Sequence, residues 1–139
     1  MKLIVVLGRL LFSFIFLGTI FTHFSAKTID YAASAGVPAA SFFVPLSGII
    51  ATIGALCIIF GFKARFGAWL IILFLIPVTL YMHRFWTVTD PMMHQMQMVN
   101  FLKNLSLMGG ALLITYFGAG PVSIDNRMNK ETKKIFNKA

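Results

Sequence analysis

FFVPLSGIIATIGALCIIFGFKARFGAWLIILFLIPVTLYM, residues 42 to 82, is two apolar runs interrupted by charge only at Lys63 and Arg65. Each run, Phe42 to Phe62 and Ala64 to Met82, holds about 20 residues, roughly 30 Å as α-helix and so the thickness of a bilayer's hydrocarbon core. No water is present in that solvent to satisfy backbone N–H and C=O groups, so runs this long are helical. A closed barrel would need alternating apolar and polar residues, which these runs lack. Gly61-Phe-Lys-Ala-Arg65 is too short for anything but the turn of a helical hairpin, which makes the two helices neighbours.

Two further runs of spanning length lie on either side, Leu3 to Phe24 and Val99 to Phe117. The expected fold is therefore all-α: a four-transmembrane-helix bundle, with an outer amphipathic turn leading into helix four. Gly36-Val-Pro38 breaks the first loop. Asp90-Pro91 reads as an N-cap followed by a proline at the first helical position, so the last helix is expected to run from Pro91 to Phe117 and to stop at Gly118-Ala-Gly-Pro121. Residues 1–125 form the membrane domain and 126–139 a basic tail. The first run has the look of a signal peptide, but a cut after Ala26 would place Phe24 where a small residue is needed, so it is read as retained.

Composition agrees with lipid as the main solvent. The 139 residues are 58% apolar and 12% charged, about half the charge of a soluble domain. Net charge is +8, yet the basic residues sit between and after the apolar runs and not in one stripe, which argues for anchoring at membrane ends and against nucleic acid. The single cysteine, Cys57, excludes an intrachain disulfide and a CxxC pair. Lys2, Arg9, Lys63, Arg65, Arg127, Lys130, Lys133, Lys134 and Lys138 fall on one side of the threaded chain, and the nearly neutral loops around Lys27 and Arg84 on the other. By the positive-inside rule both termini are cytoplasmic, in a bacterial inner membrane. The tail is expected to cling to anionic lipid.

Spanning helices associate through close packing, so small residues mark contacts. Ser47, Ala51 and Ala55 share one stripe of helix two, serving either the bundle interior or a homo-oligomer. Polar groups inside spans are costly and carry any chemistry. Arg9, roughly 9 Å from the cytoplasmic end of its helix by rise per residue, reads as a side chain that snorkels to lipid phosphate. On helix four His94, Gln97, Asn100, Lys103 and Asn104 recur at steps of three or four, and Lys103 could meet an anionic head group, a carboxylate such as Asp90, or a quinone carbonyl. His23, His83 and His94 lie at the outer helix ends near Trp86 and Met92, Met93, Met96 and Met98. A soft Cu(I) site, a quinone-head pocket and ordinary interface residues all fit that pattern. No paired carboxylates, Walker loop, zinc spacing or pair of mid-span haem ligands occurs, and no catalytic set or resident cofactor is evident. The candidate ligand-binding residues are His83, Trp86, His94, Asn100, Lys103 and Asn104.

Taken together, Gly8-Arg9-Leu-Leu, Ala35-Gly36-Val37-Pro38, the Gly54 to Arg65 hairpin, His83-Arg-Phe85-Trp86, Asn100-Phe-Leu-Lys103-Asn104 and Gly118-Ala-Gly120-Pro resemble the DoxX family of small bacterial membrane proteins, over residues 3 to 125. Many members of that family carry Glu where Ala51 stands here. The resemblance implies a four-helix inner-membrane protein linked to quinone-coupled sulfur oxidation or redox stress. With the polar stripe beside His83 and Trp86, the expected function is an accessory subunit whose outward-facing pocket takes a quinone or lipid-like molecule, with membrane lipids and a redox enzyme as partners. A quinone-coupled oxidoreductase subunit and a small transporter are the alternatives.

Overall fold

A computed structural model describes residues 2–136; Met1 and the tail's Lys138 lie outside the described residues. The helices are α1 (Lys2–Leu17), α2 (Thr19–Thr22), α3 (Ala26–Ser34), α4 (Ala40–Phe60), α5 (Ala64–Met82), α6 (Pro91–Phe117) and α7 (Ile124–Phe136), with a 3₁₀ turn at Phe85–Thr87. Four stretches are long and apolar enough to cross a membrane: Lys2–Thr22, Ala40–Phe60, Ala64–Thr87 and Pro91–Phe117. Outward-facing Phe14, Phe21, Leu73 and Leu113 are all exposed, a surface suited to acyl chains and not to water.

The anticipated boundaries of α5 and α6 match those observed. Asp90 caps α6 as its spacing to Pro91 suggested, its Oδ1 accepting the Met93 N–H at 2.8 Å. The first span differs from a single run, because it breaks at Gly18 and resumes as α2. The first loop also holds a helix, α3. Ser25 caps it by accepting the Thr28 N–H, and Ile29 and Ala32 fold onto Val37, Ala40, Val44 and Met82. Its nine residues hold only two large apolar side chains, Ile29 and Tyr31, so a reading led by long apolar runs passes over it although Ile29, Ala32 and Ala33 keep helical spacing.

Gly61 ends α4 in the left-handed region at φ +63°, its N–H turned to the carbonyls of Cys57 and Ile58. The hairpin closes tightly: a Cβ on Gly67 would lie 2.8 Å from the Gly54 carbonyl oxygen. Ala51 and Ala55, both 0% exposed, pack in the core with Phe16, Ile58, Ala68, Ile71, Leu75 and Ala111, so this part of the small-residue stripe serves the bundle interior. Backbone packing runs from α1 to α4, α4 to α5 and α5 to α6. The seam between α1 and α6 is filled by side chains, as where Phe12 covers Gly110.

Candidate functional site

The ends of the bundle carry different polar arrangements. At the end away from the α4–α5 hairpin, α6 turns Gln97 and Asn104, two helical turns apart, into the protein, where they are 7% and 4% exposed. Asn104 Nδ2 donates to Thr79 Oγ1 at 3.1 Å, joining α6 to α5. Gln97 Oε1 lies 2.7 Å from His83 Nδ1, and its Nε2 donates to the Tyr31 hydroxyl at 3.0 Å. One amide therefore ties α6 both to the end of α5 and to α3. With His83 Nδ1–H as the donor in that bond, its Nε2 is left as an acceptor.

The stripe read on helix four divides at this point. Lys103 stays exposed, and its ammonium donates to Asn100 Oδ1 at 2.9 Å, one turn back. A cleft of about 140 Å³ lies between α1, α2, α5 and α6, with Phe16, Phe74, Val78 and Leu107 among its apolar walls and Thr19, His83, Lys103 and Asn104 as its polar lining. Three of the six candidate ligand-binding residues thus meet. Asn100 touches Lys103 but does not line the cleft. Trp86 stacks edge-on against Phe85 and Phe101, and His94 packs against Phe85; neither lines the cleft. His23 sits against Phe74 and close over Gly48 instead, so the three histidines are spread over separate surroundings. Its pKa is pushed below the ordinary imidazole value by burial, opposed by the hydrogen bond from its ring to the Thr19 carbonyl. Arg84 donates to the Ala35 carbonyl and pins the loop after α3.

The hairpin end corrects the reading of Arg9. It does not snorkel: it is 6% exposed, and its Nη1 and Nη2 donate to the carbonyls of Ala119 and Val122. The loop that leaves α6 folds back over the first helix and accepts both bonds, removing Arg9 from lipid. Asp125 completes the connection, Oδ1 accepting the Lys63 N–H at 2.7 Å and Oδ2 the Ala64 N–H at 3.0 Å, while its own N–H donates to the Gly61 carbonyl. It caps α5 from more than sixty residues away in sequence. Arg65 Nη2 donates to the Tyr116 carbonyl at 3.1 Å. Local sequence held only a hint of this: a lone acid after a glycine-rich stop, and a lone arginine in an apolar run.

Comparison with known proteins corrects the resemblance to DoxX. The model of the SURF4 family matches residues 1–136. The Escherichia coli inner membrane protein YphA is 31% identical over 100 residues, covering 72% of this chain and 71% of that protein. The inner membrane protein YqjF of the same organism is 32% identical over 111 residues, with 76% and 75% covered. The Saccharomyces cerevisiae ER-derived vesicles protein ERV29 is 31% identical over 88 residues, 63% of this chain but only 26% of that longer protein. No solved structure matches significantly. Several of the blocks that suggested DoxX are helix stops and the Arg9 contacts, which serve here to close the bundle. This chain is a multi-pass integral membrane protein and belongs to the SURF4 family.

Proposed function

We propose that this protein is an accessory membrane protein that binds an amphiphile with an anionic head group, a lipid-like molecule entering sideways through the seam between α1 and α6. The observation that carries the reading is the cleft itself: a single ammonium, Lys103, with the His83 ring and the Asn104 amide, at the rim of walls formed by Phe16, Phe74, Val78 and Leu107. At about 140 Å³ it has room for only about four or five waters' volume, the size of a carboxylate or phosphate head or the first stretch of an acyl chain. Asn100 steadies the ammonium, and the Gln97 amide fixes the His83 ring. An apolar slot with a few convergent polar groups has the lining of a small-molecule site, at less than half the usual volume, so it suits one end of a ligand and not the whole of it. The redox partner came with the family resemblance now corrected and lapses with it, while the quinone head read from the histidines near Trp86 loses that aromatic neighbour, because Trp86 does not line the cleft.

Names of the relatives support a bacterial inner membrane as the location. The charge at the hairpin end, where Lys63, Arg65 and the basic residues of α7 gather, supports both termini being cytoplasmic and the cleft facing outward. Lipid co-purified with the wild type and with Lys103→Leu, quantified by native mass spectrometry, tests the reading. The wild type should retain an anionic amphiphile that the variant loses. Equal retention of anionic and zwitterionic species by both would overturn it.

A further inference from the structure

The hairpin end holds a second feature, independent of the cleft. Ile124, Met128 and Ile135 fall on one stripe of α7, at steps of four and seven, and are 43%, 50% and 70% exposed. Arg127, Lys130 and Lys134 repeat at steps of three and four on the other side, with Lys133 beside them. Glu131 stands at the boundary, one turn from both Arg127 and Lys134. In water such an apolar stripe would have no partner.

Its depth is fixed. Asp125, in the first turn of α7, is bonded to the backbone of Lys63, Ala64 and Gly61, the turn where two spans leave the hydrocarbon. Arg9 holds the preceding loop from the side of the first span. The helix therefore starts at head-group level. A cleft of about 460 Å³ opens between α7 and the turn, with Lys63 and Arg65 on the turn side and Asn126 and Asn129 on the α7 side. The carboxylate of Asp125, the one acid in its lining, is directed to backbone N–H groups and so opposes an incoming anion less than its charge suggests.

We propose that α7 lies in the membrane interface on anionic phospholipid. Its apolar stripe faces the acyl chains, while the basic side and the adjoining cleft hold phosphate-bearing head groups. The occupant follows from charge complementarity and position: lipid already surrounds the two spans at this depth, and an amphipathic helix with a basic polar face is the element that binds such a surface.

The test uses the full chain with Cys57→Ala and Met128→Cys, labelled with an environment-sensitive fluorophore. It is placed in nanodiscs of phosphatidylcholine alone and of phosphatidylcholine mixed with phosphatidylglycerol. A blue-shifted emission confined to the mixed discs and reversed by high salt is expected. Adding Lys130→Gln, Lys133→Gln and Lys134→Gln should lower the bound-to-free ratio of the helix by on the order of a hundredfold, about fivefold per basic residue. Emission equal in the two disc types, or unchanged by the triple variant, would overturn the proposal. So would a shift reproduced in phosphatidylcholine discs by soluble glycerol phosphate, which would indicate a site for free phosphate, or one seen only after a soluble protein is added. Because Lys103 lies at the opposite end, Lys103→Leu should leave the shift unaltered, which separates this surface from the outer cleft.

Discussion

Arg9 of the first helix donates to the backbone carbonyl of Ala119, 110 residues away, at 2.9 Å, and a second bond from the same guanidinium reaches Val122. The pair closes the bundle by tying its first span to the segment that follows its last. Hydrogen bonds to charged groups contribute about 1.5–3 kcal/mol each, and truncation here would also leave two carbonyls without a partner. Arg9→Met should therefore lower the thermal unfolding midpoint in detergent, at a cost of about 2–4 kcal/mol. Arg9→Lys, lacking the fork that spans both carbonyls, should recover less than half of that loss. A lysine that restored full stability would favour a simple lipid-anchoring charge at this position.

Asp125 is the matching element on the other side of the loop. Its two oxygens take the Lys63 and Ala64 N–H groups, which no helical carbonyl can satisfy at the start of α5. Asp125→Ala should cost about 0.5–2 kcal/mol, the usual value of an N-cap, and Asp125→Asn clearly less, because its amide keeps one acceptor oxygen. Thermal midpoints of the two variants, read side by side by size-exclusion chromatography after heating, check the order. Equal losses would indicate that the carboxylate's charge, and not its acceptor geometry, carries the contact.

The glycines of this chain divide by what surrounds them, so one substitution type gives opposite results. At Gly61 the backbone is left-handed, and a Cβ would meet Arg9 as well as Ser123 Cβ at 2.5 Å and Ala119 Cβ at 3.0 Å. At Gly67 it would press on the Gly54 carbonyl oxygen. Gly61→Ala and Gly67→Ala should sharply reduce folded protein recovered from membranes. Gly8 and Gly109 have open space around them, and each alanine there should be neutral or stabilise by up to about 1 kcal/mol through helix propensity. Losses at Gly8 or Gly109 comparable to those at Gly61 would point to an uncounted neighbour, such as a second copy of the chain.

What the sequence made legible is what lipid dictates. Apolar length located all four spans, and Asp90-Pro91 located the start of α6, because backbone hydrogen bonding in hydrocarbon leaves one solution for such runs. Helical spacing linked His94, Asn100, Lys103 and Asn104 and depth added His83 and Trp86, a wider set than the three, His83, Lys103 and Asn104, that line the cleft. The remainder was hidden because it depends on distant pairing. Arg9 and Asp125 look like isolated charges until the loop after α6 folds back. Lys103 and Asn104 are adjacent in sequence yet differ in burial, since neighbouring residues on a helix point about 100° apart. Residues 26–34 are too short and too polar to stand out beside the long apolar runs, and α3 is held by its Ser25 cap and its packing on α4.

His23 gives the pH dependence. Its ring lies against Phe74 and over Gly48, and burial lowers its pKa below the ordinary 6.5. The unfolded chain, with its imidazole near 6.5, takes up the proton first as pH falls, so protonation favours the unfolded state. The stability difference is complete above about pH 7 and is lost progressively below about 6.5, down to the folded-state value. Thermal midpoints of the wild type in detergent should therefore be flat on the alkaline side and decline on acidification, and His23→Asn should decline less steeply over the same range. The quantity to read is the difference between the two curves, which removes the contribution of every other titrating group. Parallel curves would show that the His23 ring takes its proton as readily in the folded protein as in the unfolded chain, and would contradict its burial between the second and fourth helices and Phe74.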